Sequence, residues 1–452
     1  MAKATDIQTT KAEVRALVAL VGTAAEAAMD AWEVQEGRVP SLDDLAEEKT
    51  PSAALLRAIR LLDGSCCQLQ HMLRPTFVSV SDKVRMNIEA ACLRTALEAK
   101  VPDILDKHAN GVHVDVIAKE TGLDAGKLAR ILRLLTLKHC FHEISKDVFA
   151  NNRISYSLRS SSPYYDFAGH MMNEINRYGV ANLWEALSDP EYGPSTDPRR
   201  SVFSWGIREE MPNANAFEYF EKHPNEAARF NRAMTAFRLG WVTEYYPVAS
   251  IPAGSTWCDI GGGVGHVLLS VARANPGLKA TLQDQPHVLI PARESIEKEY
   301  PQGLQEDRVR LVPIDFINEA PVKGQDFYYM RFIIHDWPDH IAKTILTNIA
   351  QAMKPTSHLL VHDYVLKVPK GKDDTHEDKD YLGAHDAPRP LLPNYGAGGI
   401  RPFLADINML IGLNARERSV KDVVQLANEA GLEFVNFWDC VETGLVELRL
   451  KQ

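Results

Sequence analysis

At 452 residues, with 45% apolar and 24% charged side chains, the chain has a globular balance and enough material for about two to three domains. A formal charge of −10 argues against a nucleic-acid partner, which calls for a basic face. The six cysteines lack metal-ligand or disulfide-framework spacing, no leader opens the chain, and no run nears the ~18 apolar residues of a membrane span. The expectation is a cytoplasmic protein with reduced thiols and no membrane partner.

In chain order, apolar periodicity over 8–34 and 51–75 predicts two helices, joined by a polar link holding Gly37, Pro40, Asp43 and Asp44. Together they make a helical N-terminal extension over 1–75. From Lys83 onward, Ile88, Ala91, Cys92, Ala96 and Leu97 recur at helical spacing, and Val101-Pro102 restarts a turn. Residues 114–119, a turn at 121–124 and residues 127–137 read as helix, tight turn, helix. Residues 141–144 and 148–150 then alternate as a small hairpin. That order predicts a winged helix over 76–160. Its second helix carries Lys127, Arg130, Arg133 and Lys138, the cations a major groove would meet. Leu128, Ile131, Leu132, Leu134 and Leu135 fill most of the intervening positions, so packing or dimerisation is the expected role.

Residues 161–250 read as helical and rich in aromatics. Phe217 to Phe220 precede Pro224, and Ala227, Phe230, Ala233, Met234 and Phe237 then share one face, as core or as the wall of a flat apolar pocket. After Pro252-Ala253-Gly254 short β-type runs alternate with helices, at 256–260, 279–283, 309–312, 326–334 and 358–361. This alternation predicts an α/β fold with a parallel, doubly wound sheet over 251–452.

The first of these runs continues as Trp257-Cys258-Asp259-Ile260-Gly261-Gly262-Gly263-Val264-Gly265. Glycines after a strand let backbone approach a ligand closely. Such a loop also fits dinucleotide enzymes. Asp284, at the end of the second strand, is placed to accept both ribose hydroxyls of a nucleoside. Two features favour a methyl-donor nucleoside over a dinucleotide. His266 stands three after Gly263, where a dinucleotide fold wants a small residue, and Asp259 would repel a pyrophosphate yet meet a cationic amino group. Asp315, after the third strand, is a candidate acceptor for an adenine amino group.

The fourth run, Tyr328 to Ile334, is apolar except for Arg331, and His335 stands at its carboxyl end, where open α/β sheets bind ligands. A neutral imidazole of ordinary pKa, about 6.5, is a workable base for a phenol of pKa about 10. Carboxylates should orient it, and Asp363, after the next strand, and Glu417, before a later helix, are the candidates.

On these residues the chain resembles the caffeate-type plant and fungal O-methyltransferases that use S-adenosylmethionine. The likeness runs from about Lys83 to Lys451. It is strongest in Asp259 to Gly265, Asp284-Gln285-Pro286-His287, Phe332 to Asp339, Asn414 to Ser419 and Phe217 to Met234. The resemblance implies a winged-helix domain that mediates a homodimer and a Rossmann-like methyltransferase domain. It further implies His335 as general base flanked by Asp363 and Glu417. Gly261, Asp284, Asp315 and Phe316 would hold the cofactor. Arg331 would stand where the family often has a cofactor-contacting lysine, and Met234 and Met409 would lie near substrate or cofactor.

Departures accompany it. Position 363 is Asp where plant members carry Glu, and Arg331 exchanges a point charge for a planar fork. Residues 368–402 form an insertion rich in charge and then in Pro and Gly, and the first 75 residues are extra. Both features resemble fungal secondary-metabolite members more than plant ones. The expected reaction is a metal-free, in-line methyl transfer to a hydroxyl of an aromatic small molecule. Two rivals stay open. One is a cofactor-holding relative that rearranges rings without methyl transfer, the other a ligand-responsive regulator built on the winged helix.

Overall fold

The computed structural model describes residues 7–46, 49–236, 242–367 and 387–452. They fall into two compact units, Met1–Leu187 with Val202–Arg238, and Ser188–Ser201 with Leu239–Gln452.

The first unit is helical. Helices α1 (Ile7–Glu36) and α2 (Ala53–Leu73) pack through a seam of Ala28, Ala31, Leu55 and Ala58, whose small side chains allow a close approach. The Ser52 hydroxyl caps α2 by accepting the Leu55 N–H. Helices α3 (Thr76–Val84), α4 (Met86–Glu98) and α5 (Val101–Asp106) follow. Helix α6 (Val114–Thr121) ends on Gly122 in the left-handed conformation, and Asp124 caps α7 (Ala125–Thr136), so the tight turn between them is written into two residues. Strands β2 (His142–Ser145) and β3 (Val148–Ala150) form the expected hairpin. A two-residue strand β1 (Val112–His113), which the sequence reading omitted, pairs with β3.

On α7, Leu128, Ala129, Leu132 and Leu135 are buried. Arg133 turns back to the hairpin, donating to Glu143 (2.6 Å) and to Asp147 (2.8 Å), while Lys138 pairs with Glu89 at 3.1 Å. Two of the four cations proposed for a DNA groove are therefore engaged within the fold. Further along, Phe220 stacks on Phe230 at 5.0 Å, and both lie against His170. The aromatic stripe of 217–234 is thus partly core; Phe237 lies outside the described residues.

The second unit is built on a seven-stranded sheet. Strands β4 (Thr256–Ile260), β5 (Lys279–Asp284), β6 (Val309–Pro313), β7 (Phe327–Arg331) and β8 (His358–Asp363) are parallel, in the order β6-β5-β4-β7-β8. Their near-continuous apolar runs, with Trp257, Tyr328, Tyr329, Leu359 and Leu360 wholly buried, suit strands covered on both faces. The order changes direction between β4 and β7, making a switch point at which open sheets bind ligands.

Two further strands, β9 (Leu432–Cys440) and β10 (Thr443–Leu450), complete the sheet antiparallel beside β8. Sequence periodicity points to no strand here, because Glu433, Glu447 and Arg449 interrupt the apolar run. Glu447 is nonetheless buried. It accepts hydrogen bonds from the His358 ring (2.7 Å), the Trp438 indole (3.0 Å) and the Tyr246 hydroxyl (3.3 Å). The fourth strand also ends earlier than expected, at Arg331 rather than 334, because Phe332 takes a positive φ of 55°. Of the insertion at 368–402, residues 368–386 lie outside the described residues. The remainder holds a short 3-10 turn, Gly396–Gly399, ahead of the helix Arg401–Leu413.

Candidate active site at the switch point

Between β4 and the helix His266–Ala274, Gly261, Gly263 and Gly265 have φ of 69°, 57° and 82°. The turn needs glycine at 261, where a Cβ would collide with Ile333 Cδ1. Above Gly263 the space is open, with nothing within 4 Å of a Cβ position. The Asp284 carboxylate, closing β5, accepts the Gly263 N–H (2.9 Å) and the Gln285 N–H (2.7 Å). It is thereby held at the mouth of the loop.

Asp259 lies directly beneath. Its Oδ2 is 2.9 Å from where a Gly262 Cβ would be, is buried, and finds no hydrogen-bond partner among the described residues. Burial, with the nearby charge of Asp284, raises its pKa to about 7, against the pull of Arg331. An open glycine cradle with an orphaned carboxylate below and a second carboxylate at its lip suits a ligand with a cationic group and hydroxyls. The residues present therefore fit the nucleoside sulfonium that the resemblance implies.

The other cofactor candidates surround this loop unevenly. Phe316 packs against the core, with Cε1 3.6 Å from the Cβ position of Gly261. Asp315 follows β6 by two residues and is exposed. Its carboxylate accepts the Ile317 N–H (3.1 Å) and the Asn318 side chain (2.8 Å), forming a local turn. Arg331 ends β7 with its guanidinium 4.7 Å from the Phe332 ring centroid.

His335 sits on a 3-10 turn, Ile334–Asp336, beyond the end of β7 and is 8% exposed. Its Nδ1 lies 2.7 Å from Oε1 of Glu417, and Nε2 is 3.4 Å from Oδ1 of Asp336. Glu417 is itself buried, its second oxygen finds no hydrogen-bond partner among the described residues, and its N–H donates to Asp406 (2.9 Å). Asp363 takes another position. Its Oδ1 accepts the Phe332 N–H at 2.7 Å, so it reaches the imidazole by field and not by a hydrogen bond.

The expectation of an imidazole with an ordinary pKa needs correction. Burial alone would push His335 down, but the charges of Glu417 and Asp336 outweigh it and raise the pKa to about 10. Burial in turn raises the Asp336 carboxyl to about 6 and pushes Glu417 and Asp363 upward. The surrounding carboxylates thus favour the protonated imidazole.

Sequence reasoning missed Arg418 altogether. Nearly fully buried, it donates to the carbonyls of Ile334 (2.6 Å) and Trp337 (2.7 Å) and to Asp339 (2.8 Å), bracing the turn that carries His335. Its place beside Glu417 was the available signal. Asp336, the acid half of the His-Asp pair at 335–336, lies close to Nε2 of His335. Met409 lies half-buried on the helix Arg401–Leu413 in the same unit, whereas Met234 ends the helix Pro224–Met234 of the first unit.

Two family models match: an O-methyltransferase domain over residues 203–433 and an O-methyltransferase dimerisation domain over 84–161. The 3-O-methyltransferase 2 of Phanerochaete chrysosporium is 36% identical, covering 96% of this chain and 97% of that protein. Sterigmatocystin 8-O-methyltransferase of Aspergillus parasiticus is 25% identical over 97% of this chain and 98% of its own. Among solved structures, mitomycin 7-O-methyltransferase MmcR superposes with a TM-score of 0.65 at 26% identity, covering 82% of this chain and 97% of its own. A structure titled a pericyclic reaction enzyme gives a TM-score of 0.71 at 20% identity, covering 97% and 100%, which is a likeness of fold. The chain belongs to the O-methyltransferase family, whose members draw their methyl group from S-adenosylmethionine.

Proposed function

We propose that this protein transfers the methyl group of S-adenosylmethionine to a hydroxyl of an aromatic secondary metabolite, with His335 as the general base. The observation that carries the reading is the imidazole anchored through Nδ1 to buried Glu417 (2.7 Å), beyond β7, the parallel neighbour of β4, from which the glycine loop leaves. The cofactor supplies an electrophilic methyl carbon on a cationic sulfur. With the cofactor bound, Nε2 of His335 would take the proton of the acceptor hydroxyl as that oxygen receives the methyl group and the sulfur departs as a neutral thioether. Asp284 would accept from ribose hydroxyls, and Asp259 would meet the amino group.

The raised pKa of His335 suits this chemistry in one respect. Carboxylates that raise the imidazole's basicity lower the cost of taking a phenol proton. That basicity also means the free base is scarce at neutral pH. A second positive charge in the crevice lowers the imidazole pKa by like-charge repulsion, which favours the free base when the cofactor is in place.

The test is incubation with methyl-labelled cofactor and a panel of aromatic alcohols and phenols. Label in an ether product with equal release of S-adenosylhomocysteine supports the reading. Cofactor binding with turnover of a substrate but no such release would favour the ring-rearranging rival. For the regulator rival, the engagement of Arg133 and Lys138 within the fold speaks against a DNA-reading helix. The match to a dimerisation domain over 84–161 supports a homodimer, and six free cysteines support a cytosolic setting.

Asp259 makes a further expectation measurable. As pH rises from about 6 to about 7.5, its carboxyl ionises, and cofactor affinity should tighten about five- to tenfold. Titration calorimetry at several pH values reads this directly. An Asp259→Asn variant should bind more weakly and lose that pH dependence, and an unchanged slope would remove the amino-group assignment.

A further inference from the structure

Strand β7 does not run straight into its histidine. Phe332, the next residue, has φ of 55°, a left-handed conformation that glycine adopts freely and an aromatic residue rarely does. Two acceptors pin it there: the Phe332 N–H points to the His362 carbonyl (3.1 Å) and to Oδ1 of Asp363 (2.7 Å). The ring so placed stacks on the His335 imidazole, with centroids 5.3 Å apart and planes 27° apart. It also stacks on buried Tyr364, at 5.2 Å and 26°.

We propose that Phe332 is a positioning residue for the base: its strained backbone aims the ring, and the ring sets the plane of the His335 imidazole. Asp363, whose field already reaches the imidazole, also holds the Phe332 backbone in place by accepting its N–H. One hydrogen bond, from Nδ1 to Glu417, fixes the direction of one ring atom but leaves the imidazole free to tilt about that bond. A stacked neighbour removes the tilt. Together with the 3.4 Å approach of Asp336 Oδ1 to Nε2, the two contacts define where that nitrogen points, and catalytic groups must be held to within about 10–20°. Backbone strain persisting next to a reacting group is expected when the surroundings over-determine it.

The inference rests on His335 being the base, so it is tested beside a His335→Ala control that decides that question alone. The variants are Phe332→Leu, which keeps apolar bulk without a ring, Phe332→Gly, which also frees the backbone, and Phe332→Tyr, which restores a ring. The expected result is a fall in kcat of about 10–100-fold for Leu and for Gly, with cofactor Kd and acceptor KM within about threefold, and recovery of most of kcat in Tyr. Thermal melting of each variant shows whether it is folded. Should Leu fail to fold, Gly and Tyr decide the matter. If Gly or Leu retains kcat, or if the loss falls in KM or in cofactor Kd instead, Phe332 is a pocket wall or a cofactor contact and the proposal is overturned.

Discussion

Replacing His335 with alanine is expected to lower kcat by about 10²–10⁴-fold while leaving cofactor affinity nearly unchanged. The reason is spatial. The imidazole belongs to the turn after β7, whereas the glycine cradle with Asp259 and Asp284 belongs to β4 and β5, so the substitution removes a base without altering the groups assigned to the cofactor. Steady-state kinetics and calorimetry on the same preparation separate the two quantities. A variant that keeps wild-type kcat removes the base assignment. One that loses cofactor binding in proportion shows that the imidazole belongs to the binding site instead.

Changing Glu417 to glutamine should produce the second large effect, visible in the pH dependence. Glu417 is the foremost of the charges that raise the His335 pKa, ahead of Asp336 and Asp363. In the wild type, kcat/KM should climb with pH toward a limb centred above neutrality, because the imidazolium must lose its proton before it can act as a base. Glutamine retains a carbonyl acceptor for Nδ1 but not the charge, so the imidazolium is less stabilised and its pKa falls. The rising limb then moves to lower pH. Its plateau drops on the order of 10²-fold, because the weaker base also loses a charge-assisted hydrogen bond. At neutral pH the deficit is smaller than on the plateau, since more of the base is free. A limb that stays where it was would show that another group controls it.

Much of the site was legible because its residues stand at strand ends. Asp259, Asp284 and His335 each follow a short apolar run, and a parallel sheet puts the carboxyl ends of its strands on one edge. Glycines at 261, 263 and 265 were readable for a related reason, since a turn after β4 demands φ values that other residues resist. What escaped were contacts between segments distant in sequence. Arg418 looked like one more charged residue, yet it braces the carbonyls of Ile334 and Trp337, some eighty positions earlier. The strands β9 and β10 escaped for a similar reason, since a buried Glu447 is tolerable only with His358 and Trp438 beside it.

From sequence alone came the helix-turn-helix and its hairpin, the doubly wound sheet, the glycine loop after β4 and the place of His335 beyond the carboxyl end of the fourth strand. All of these follow from local periodicity, turn chemistry and the regular geometry of parallel strands. Only the tertiary structure decided that the His335 Nδ1 pairs with Glu417, that Asp363 accepts the Phe332 N–H instead, and that the surrounding carboxylates push the imidazole pKa upward. Those properties come from burial and charge around groups brought together from positions 335, 336, 363 and 417. Such effects depend on distances in space, which spacing along a chain does not encode.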